Sequence, residues 1–426
     1  MSAPRRITRR QFVAGTAGAV GAGAAAVAVA RHPWTSVLRS SAPSIDGRGT
    51  LVVVTLYGGN DGLNTVIPYQ DANYLSARGA LGYQPKEVLP IGEGLALAPA
   101  LKGLKGLWDH GELAIVRGVG YPDPNRSHFR SMDIWQSGVP DHAVATGWLG
   151  RWLDASGTDP MRTLSVGPTL PHLLAGEKSS GSAIAAGPVS LNGTDSQLLK
   201  AFGALADPYA GEAPWAARVA QTGADFLTVQ HTVADALAHQ PAPPSGSASG
   251  AGGSNLEGAA PTGAAAKGGG ALSTQLDLVA RLINAGVPTR VYSVSLGGFD
   301  THAAEKDTHA RLLGELDAAL TSFLSSLHNT PQGKKVVVFA YSEFGRRVAA
   351  NASAGTDHGT AAPVFVAGPA VRGGFYGDEP PLTNLDDGDL RFTTDFRSVY
   401  ATLLNHVLGV DTTVSLDKQY KPLAML

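Results

Sequence analysis

Cysteine is the residue type that this 426-residue chain lacks altogether. Its absence excludes a disulfide framework, a thiolate zinc site and a cysteine nucleophile. Any bound metal must therefore be held by imidazole, carboxylate or other oxygen ligands. Such ligands suit zinc, manganese, magnesium or calcium, so we expect one of these divalent ions if the protein carries a metal cofactor.

Charged residues are scarce, because Asp, Glu, Lys and Arg make up only 16% of the chain and the formal net charge is -2. Nucleic-acid binders and polybasic membrane binders usually carry a strong positive field. The composition therefore predicts no nucleic-acid partner and no electrostatic membrane binding. Hydrophobic residues make up 43%, which is too much for a wholly disordered chain and enough for a core.

The first 30 residues have the layout of a secretory signal peptide. Arg9 and Arg10 stand in the order Thr-Arg-Arg-Gln-Phe and precede a Gly/Ala-rich apolar stretch that ends in Ala28-Val29-Ala30. Paired arginines of this kind indicate a twin-arginine (Tat) signal, with the Tat translocon as a partner during export. The glycines disfavour a permanent membrane span, so we expect none after cleavage, and a periplasmic, cell-envelope or extracellular location. A basic amphipathic tail is the alternative.

Apolar runs without alternation, separated by helical patterns, predict the fold class. Such runs are typical of strands buried on both faces, and strands interleaved with helices indicate a doubly wound α/β fold with a mostly parallel sheet flanked by helices. The predicted strands cover 51–56, 113–116, 291–296, 336–340 and 363–367. The clearest helical patterns cover 272–285, 302–327 and 394–408.

The predicted domain organisation is simple. Residues 1–30 form the signal peptide, 31–48 a leader or linker, and 49–426 a single α/β domain. Residues 240–270 are dominated by Pro, Ala, Gly and Ser, so we expect a disordered insertion within that domain. The stretch 151–199 has no clear pattern and is interpreted as an elaboration on the sheet.

Polar clusters follow the first two predicted strands, where ligand sites of open α/β sheets lie. Asp61 and Thr65 belong to the first cluster, in which Asp61 is a candidate metal ligand or the capping residue of a turn. The second cluster contains Ser127, a candidate nucleophile or helix N-cap, and His128, a candidate ligand or base.

Two further clusters follow later strands. Asp300 and His302 stand where a helix is predicted to begin, and His309 is seven residues further on, so both rings are expected near one helix face. Asp357 and His358 lie between small residues in a loop. These side chains suit a hard cation or zinc, although a helix cap and an Asx turn are simpler explanations.

An acidic residue and two arginines follow the strand predicted at 336–340. Glu343 is a further candidate ligand, and Arg346 and Arg347 match the oxygens of a phosphate or sulfate group. The two arginines therefore suit an anionic substrate such as a phosphate or sulfate.

These segments together resemble a known family. The relevant blocks are YGGNDGLNT, ELAIVRGVGYPDPNRSHF, GWLGRWL, GGFDTHAAEKDTHARLLGELDAAL, SEFGRR and GTDHGTAAPVFVAGPAVRGG, with the twin-arginine leader. They closely resemble the exported family known as domain of unknown function 1501. The resemblance implies the alkaline-phosphatase-like (sulfatase-like) superfamily, whose members often hold two metal ions for phosphate or sulfate esters.

The resemblance also implies roles for individual residues. The implied metal ligands are Asp61, Asp300, His302, Asp357 and His358.

The remaining roles are less well matched. Ser127 is similar to the nucleophile, with Thr65 as a competitor, and Arg346 would clamp the oxyanion. A third histidine downstream of His358 has no obvious match, because His406 lies in a helical pattern typical of a structural residue, so His128 or His309 would complete the site.

Two functions are therefore expected from the sequence. The first is an exported metal-dependent hydrolase of phosphate- or sulfate-type esters. The second is a non-catalytic exported binding or assembly protein that keeps the same fold, because superfolds host unrelated functions.

Overall fold

The computed structural model describes residues 49–157, 159–186, 213–238 and 272–426. The predicted signal peptide, leader and insertion lie outside these residues. Contacts divide the chain into one unit of Met1–Asp46 with Leu191–Leu227, and another of Gly47–Ser190 with Thr228–Leu426. In the first unit the described part is the beginning of the helix Pro214–Ala238. The second unit contains the sheet and the candidate site.

Strands and helices are interleaved along much of the described chain. The strands are β1 (Thr50–Tyr57), β2 (Val66–Ile67), β3 (Leu89–Gly92), β4 (Leu95–Leu97), β5 (Leu113–Gly120), β6 (Thr163–Val166), β7 (Ser182–Ile184), β8 (Val291–Gly297), β9 (Val336–Ser342), β10 (Ala362–Ala367), β11 (Gly374–Tyr376), β12 (Leu385–Asp386), β13 (Asp389–Leu390) and β14 (Thr394–Asp395). The α-helices are α1 (Ala72–Arg78), α2 (Lys102–Asp109), α3 (His128–Ser137), α4 (Trp148–Ser156), α5 (Pro214–Ala238), α6 (Leu272–Asn284), α7 (Glu305–Leu327) and α8 (Phe396–Thr402). Among the described helices, none has the length and apolar character needed to cross a membrane.

The main sheet has nine strands and is mostly parallel, as predicted. Its order is β11-β5-β10-β9-β1-β8-β6-β7, with β14 paired to β5. Strand β10 alone among these is antiparallel to its neighbours, β5 and β9. The stretch 151–199, interpreted as an elaboration, contributes β6 and β7 to one end of this sheet.

Burial on both faces explains why the strands are continuously apolar. In β1, Val52 and Val54 belong to one core cluster and Leu51 and Val53 to the other. The first cluster contains side chains of α6 and α7, and the second those of α3, α4 and α8. Helices therefore cover both faces of the sheet, which confirms the doubly wound fold class.

Two helix predictions are corrected by the structure. The predicted helix 302–327 begins at Glu305, after Ala304 adopts a left-handed conformation, so His302 lies in the preceding loop. His302 and His309 therefore do not share a helix face. The predicted helix 394–408 is a short strand, then α8, then a π-helix at Leu403–Leu408.

One edge of the sheet collects most of the polar segments. Strands β1, β5, β8 and β9 run in the same direction, so the segments that follow them emerge together at their carboxyl ends. Because β10 runs the opposite way, the segment that precedes it, 355–359, reaches the same edge. Strand direction thus brings together side chains that lie far apart in the sequence.

Candidate metal centre

Three imidazole rings converge on one carboxylate oxygen at this edge. Asp300 Oδ1 lies 3.0 Å from His302 Nε2, 3.2 Å from His358 Nε2 and 3.4 Å from His128 Nε2. The Nε2 atoms of His302 and His358 are 2.9 Å apart. The four residues come from the segments after β5 and β8 and the segment before β10.

Each imidazole is oriented by a partner at its other ring nitrogen. His128 Nδ1 lies 2.8 Å from Glu343 Oε1, and His302 Nδ1 lies 3.4 Å from Asp357 Oδ1. His358 Nδ1 lies 2.8 Å from the backbone carbonyl oxygen of Arg126. Metal-bound histidines are oriented in this way by carboxylates and carbonyls.

These partners fix the hydrogen-bonding role of the rings. A carbonyl or carboxylate oxygen accepts a hydrogen bond, so Nδ1 of each neutral ring carries the proton and Nε2 presents its lone pair. The lone pairs of His128, His302 and His358 then face the Asp300 oxygen, which is also an acceptor. Four acceptor atoms facing one another need positive charge among them, which either a metal ion or protons on the rings can supply.

Three of these residues, His128, Asp300 and His358, form a donor set that could hold a single metal ion. Ligand atoms about 2.0–2.1 Å from a tetrahedral zinc ion lie roughly 3.3 Å from one another, and the three Nε2 atoms lie at a similar distance, 3.0–3.4 Å, from Asp300 Oδ1. His128 Nε2 is buried and has no hydrogen-bond partner among the described residues, as expected for an atom that coordinates an ion. The His128, Asp300 and His358 ligand atoms all lie within 4.8 Å of one another.

Asp300 is held by charge and by close backbone approach. Partial burial opposes its ionisation, but the hydrogen bond from Arg346 and the contact with the His358 ring lower the pKa of Asp300 to about 2. Gly58 brings the loop after β1 against this residue, because a Cβ on Gly58 would lie 2.4 Å from the Asp300 backbone nitrogen. The carboxylate is therefore ionised and fixed at physiological pH.

The predicted oxyanion clamp, Arg346, has a different placement. Its side chain is fully buried and donates through Nε to Gly59 O, through Nη1 to Thr356 O, and through Nη2 to Gly58 O, Phe299 O and Asp300 Oδ1. These bonds engage all three guanidinium nitrogens within the protein. The position of Arg346 suits holding Asp300 and the strand-end loops rather than contacting a substrate.

The other predicted ligands lie around the cluster. Asp357 is 58% exposed and orients His302, with Asn351 as a second partner, rather than facing Asp300. Glu343 is almost fully buried, and it holds His128 and the Gly58 backbone N–H.

Asp61 is engaged in a buried ion pair. Its two oxygens accept hydrogen bonds from Arg78 at 2.5 and 2.7 Å, and both side chains are fully buried. Burial and the Asp61 charge raise the pKa of the adjacent Glu305 to about 9, so Glu305 is protonated at neutral pH and hydrogen-bonds to Asp61. Thr356 donates to Glu305 Oε2 at 2.6 Å. The structure thus keeps Asp61 out of the histidine cluster.

His309 and Thr65 are also internal. His309 is 1% exposed and hydrogen-bonds to Asn60 at 2.9 Å, and burial lowers its pKa to about 4. The Thr65 hydroxyl donates to the Asp61 backbone oxygen at 2.7 Å and is fully buried. Ser127 is exposed at the N-cap of α3, directly before His128, and its side chain caps no backbone N–H.

Sequence reasoning missed the partners that hold these residues. Arg78 stands in α1 with no motif around it, so its pairing with Asp61 has no sequence signal. The backbone oxygen of Arg126 is equally invisible in a sequence. The hairpin of β12 and β13 has one usable signal, the Asp387-Gly388 pair typical of a two-residue turn.

Together the topology and the cluster define an α/β protein with three histidines and an aspartate gathered at the carboxyl edge of its sheet. The chain belongs to the family described as "Protein of unknown function (DUF1501)", whose model matches residues 118–419. No curated protein matches the chain.

Several solved structures have a distant likeness to the chain. A protein in the alkaline phosphatase superfamily from Vibrio parahaemolyticus is 12% identical, with 88% of this chain and 70% of that chain covered and a TM-score of 0.40. The lipoteichoic acid synthase LtaP from Listeria monocytogenes is 9% identical, with 87% and 74% covered and a TM-score of 0.35. The phosphonate monoester hydrolase SpPMH from Silicibacter pomeroyi is 10% identical, with 84% and 73% covered and a TM-score of 0.32. TM-scores this low say nothing about the activity of this chain.

Proposed function

We propose that the protein is an exported metal-dependent hydrolase of phosphate- or sulfate-type esters. The supporting observation is the convergence of three imidazole Nε2 atoms on the ionised Asp300, with every Nδ1 held by an acceptor. The ion would be held by His128, Asp300, His302 and His358. The ester class rests on the resemblance of the motifs to the alkaline-phosphatase-like superfamily.

The ligand types narrow the choice of metal. Magnesium and calcium prefer oxygen ligands, whereas three imidazoles with one carboxylate suit zinc. We therefore infer zinc. When bound, such an ion supplies Lewis-acid polarisation of an ester oxygen.

The surrounding residues of the chain have three tasks. Glu343 and the Arg126 carbonyl keep the Nδ1 protons in place, so that His128 and His358 present lone pairs to the cluster. Arg346 keeps Asp300 ionised and oriented. Ser127 is the remaining candidate nucleophile, because its side chain is exposed beside His128 while the Thr65 hydroxyl is buried and bonded.

The test is metal analysis of the purified exported protein, followed by turnover of an aryl phosphate and an aryl sulfate. We expect close to one equivalent of metal, lost in His358→Ala and kept in His406→Ala, an exposed histidine remote in sequence from the cluster. Metal-free protein, or equal metal content in both variants, would refute the metal centre. Bound metal without turnover of either ester would support the metal centre and refute the hydrolase activity.

A non-catalytic exported binding or assembly role is the second candidate. It is favoured by the burial of Arg346, which leaves the histidine cluster without the clamp expected for an oxyanion. This role predicts that Ser127→Ala changes nothing in the biological function, whereas the hydrolase predicts a large loss of turnover with unchanged metal content.

Export is part of both proposals and rests on residues 1–30. The Tat translocon would then be a transient partner, and replacement of Arg9 and Arg10 by lysine should retain the protein in the cytoplasm. Normal export of that variant, measured by cell fractionation, would argue against the Tat route.

A further inference from the structure

We propose that Arg126 and Arg347 form an anion-binding pair at the rim of the histidine cluster, and that the Asp387 carboxylate seated between them marks where an anionic group of a ligand binds. One oxygen of Asp387, Oδ2, lies 3.3 Å from Arg126 Nη2 and 3.2 Å from Arg347 Nη2. A single carboxylate oxygen shared by two guanidinium groups has the contacts that a phosphate, sulfate or carboxylate oxygen would make.

The two arginines do not depend on Asp387 for their position. Asp389, the neighbouring carboxylate of the hairpin, is fully buried and accepts from Arg126 Nε at 2.7 Å and from Arg126 Nη2. Its other oxygen lies 3.8 Å from Arg347 Nε. Asp389 therefore holds Arg126 in place from the buried side and lies beside Arg347. The exposed Asp387 contacts the same two guanidinium groups.

The two carboxylates of the hairpin differ in exposure. The side chain of Asp389 is 0% exposed, whereas that of Asp387 is 76% exposed. Long contacts to an exposed carboxylate contribute little to stability, so a ligand anion can replace it at low cost. With both carboxylates in place the four side chains are neutral overall, and displacement of Asp387 leaves one net positive charge.

The backbone around Asp387 is suited to such a displacement. Strands β12 and β13 have two residues each, and they are joined by Asp387 and Gly388 with φ values of 49° and 83°. Positive φ at both positions is typical of a type I′ turn, and a hairpin this short is held mainly by its neighbours. Asp387 is thus carried at the tip of a small element rather than in the core.

The pair is connected directly to the cluster. The Arg126 carbonyl accepts from His358 Nδ1 at 2.8 Å, and the Arg347 backbone N–H donates to Asp357 O at 3.0 Å. If the proposed ester hydrolysis is correct, the pair selects substrates that carry a second anionic group beside the scissile ester.

The experiment is calorimetric titration of the full chain with inorganic sulfate. The protein is first treated with a chelator, so that sulfate binding through a metal ion does not contribute. Asp387→Asn keeps a favourable turn residue and removes the competing charge, so sulfate should bind about three- to tenfold more tightly. Asp386→Asn is the matched control, because Asp386 is an exposed hairpin residue with the same charge that contacts Arg391 instead. It should change sulfate binding less than about twofold.

The arginines provide the second arm of this test. Arg347→Gln in the Asp387→Asn background should abolish the gain in sulfate affinity. Equal effects of Asp387→Asn and Asp386→Asn would mean a general charge effect and would overturn the proposal, as would a gain that survives Arg347→Gln. Because ester turnover is not measured here, these results are independent of whether the protein hydrolyses esters.

Discussion

The orientation of His128 depends on a single buried carboxylate. Glu343 Oε1 lies 2.8 Å from His128 Nδ1, and this contact, together with the opposing effect of burial, leaves the pKa of His128 raised. Glu343→Gln keeps an oxygen for His128 and Gly58 but removes the charge. Since loss of such a partner typically costs about 10–100-fold in metal affinity, we expect a decrease in this range. Competition with a chromophoric chelator measures it.

Asp357→Asn is the matched comparison for this prediction. Asp357 is exposed and lies 3.4 Å from His302 Nδ1, so its replacement should weaken metal binding less than Glu343→Gln does. The role assigned to Glu343 would be contradicted if Asp357→Asn weakened metal binding more than Glu343→Gln does. It would also be contradicted if a lower melting temperature of metal-free Glu343→Gln explained its loss of metal affinity.

Glu305 makes the stability of the protein dependent on pH. Its folded-state pKa is raised to about 9 from 4.5, by burial first and by Asp61 second. A raised pKa contributes stability that is present below the unfolded value and is lost as pH rises through the folded value. The free energy of unfolding should therefore fall between pH 6 and pH 9, by up to about 1.4 kcal/mol per pH unit from this group.

Glu305→Gln removes the ionisable group and keeps the hydrogen-bonding shape. We expect its unfolding free energy, measured by urea denaturation of the metal-free protein, to vary less with pH across the same window. Identical pH profiles of Glu305→Gln and the wild-type chain would show that Glu305 is not protonated in the folded state.

At the residue scale, the sequence predicts the site best where polar side chains directly follow a strand. Asp300, His302 and His358 were predicted ligands and lie together, with His128 named as a further candidate. Asp61 is different, because its role depends on a partner from another element. Arg78 pairs with this carboxylate, and nothing in the sequence around Asp61 indicates whether it binds a metal or a guanidinium group. Burial of Arg346 likewise depends on carbonyls of three separate segments, so no local pattern predicts it.

At the level of elements, apolar runs predicted β1, β5, β8, β9 and β10, because strands buried on both faces need apolar side chains throughout. The antiparallel direction of β10 has no such signature. It matters for function, since it places His358 at the same edge as Asp300. The start of α7 was predicted three residues early because the left-handed Ala304 that precedes the helix is not a residue type that usually marks a helix boundary.

Helix α2 depends on a carboxylate supplied by α7. Its N-cap residue, Leu101, provides no side-chain cap, and Asp317 accepts instead from the Gly103 and Leu104 N–H groups at 2.8 and 2.7 Å. Because loss of a capping side chain typically costs about 0.5–2 kcal/mol, Asp317→Ala should lower the free energy of unfolding by an amount in this range. Asp317→Asn should recover part of the loss, and Asp277→Ala, an exposed acidic residue of α6, should have little effect in the same denaturation experiment. Equal stability of Asp317→Ala and Asp277→Ala would contradict the capping role.

At the scale of the whole molecule, the proposed ion would join segments that are distant in the chain. His128 follows β5, Asp300 and His302 follow β8, and His358 precedes β10. These positions converge only in the folded chain, so an ion that binds them stabilises the folded state over the unfolded one. At a free metal concentration 100 times the Kd, the gain is about 2.7 kcal/mol.

Thermal unfolding measures this coupling. Metal addition to chelator-treated protein should raise the Tm by several degrees, with a further rise at higher metal concentration. His358→Ala should lose most of this dependence, whereas His406→Ala should behave like the wild-type chain. A Tm that is unaffected by metal in the wild-type chain, or affected equally in His358→Ala, would mean that the histidine cluster does not bind the ion.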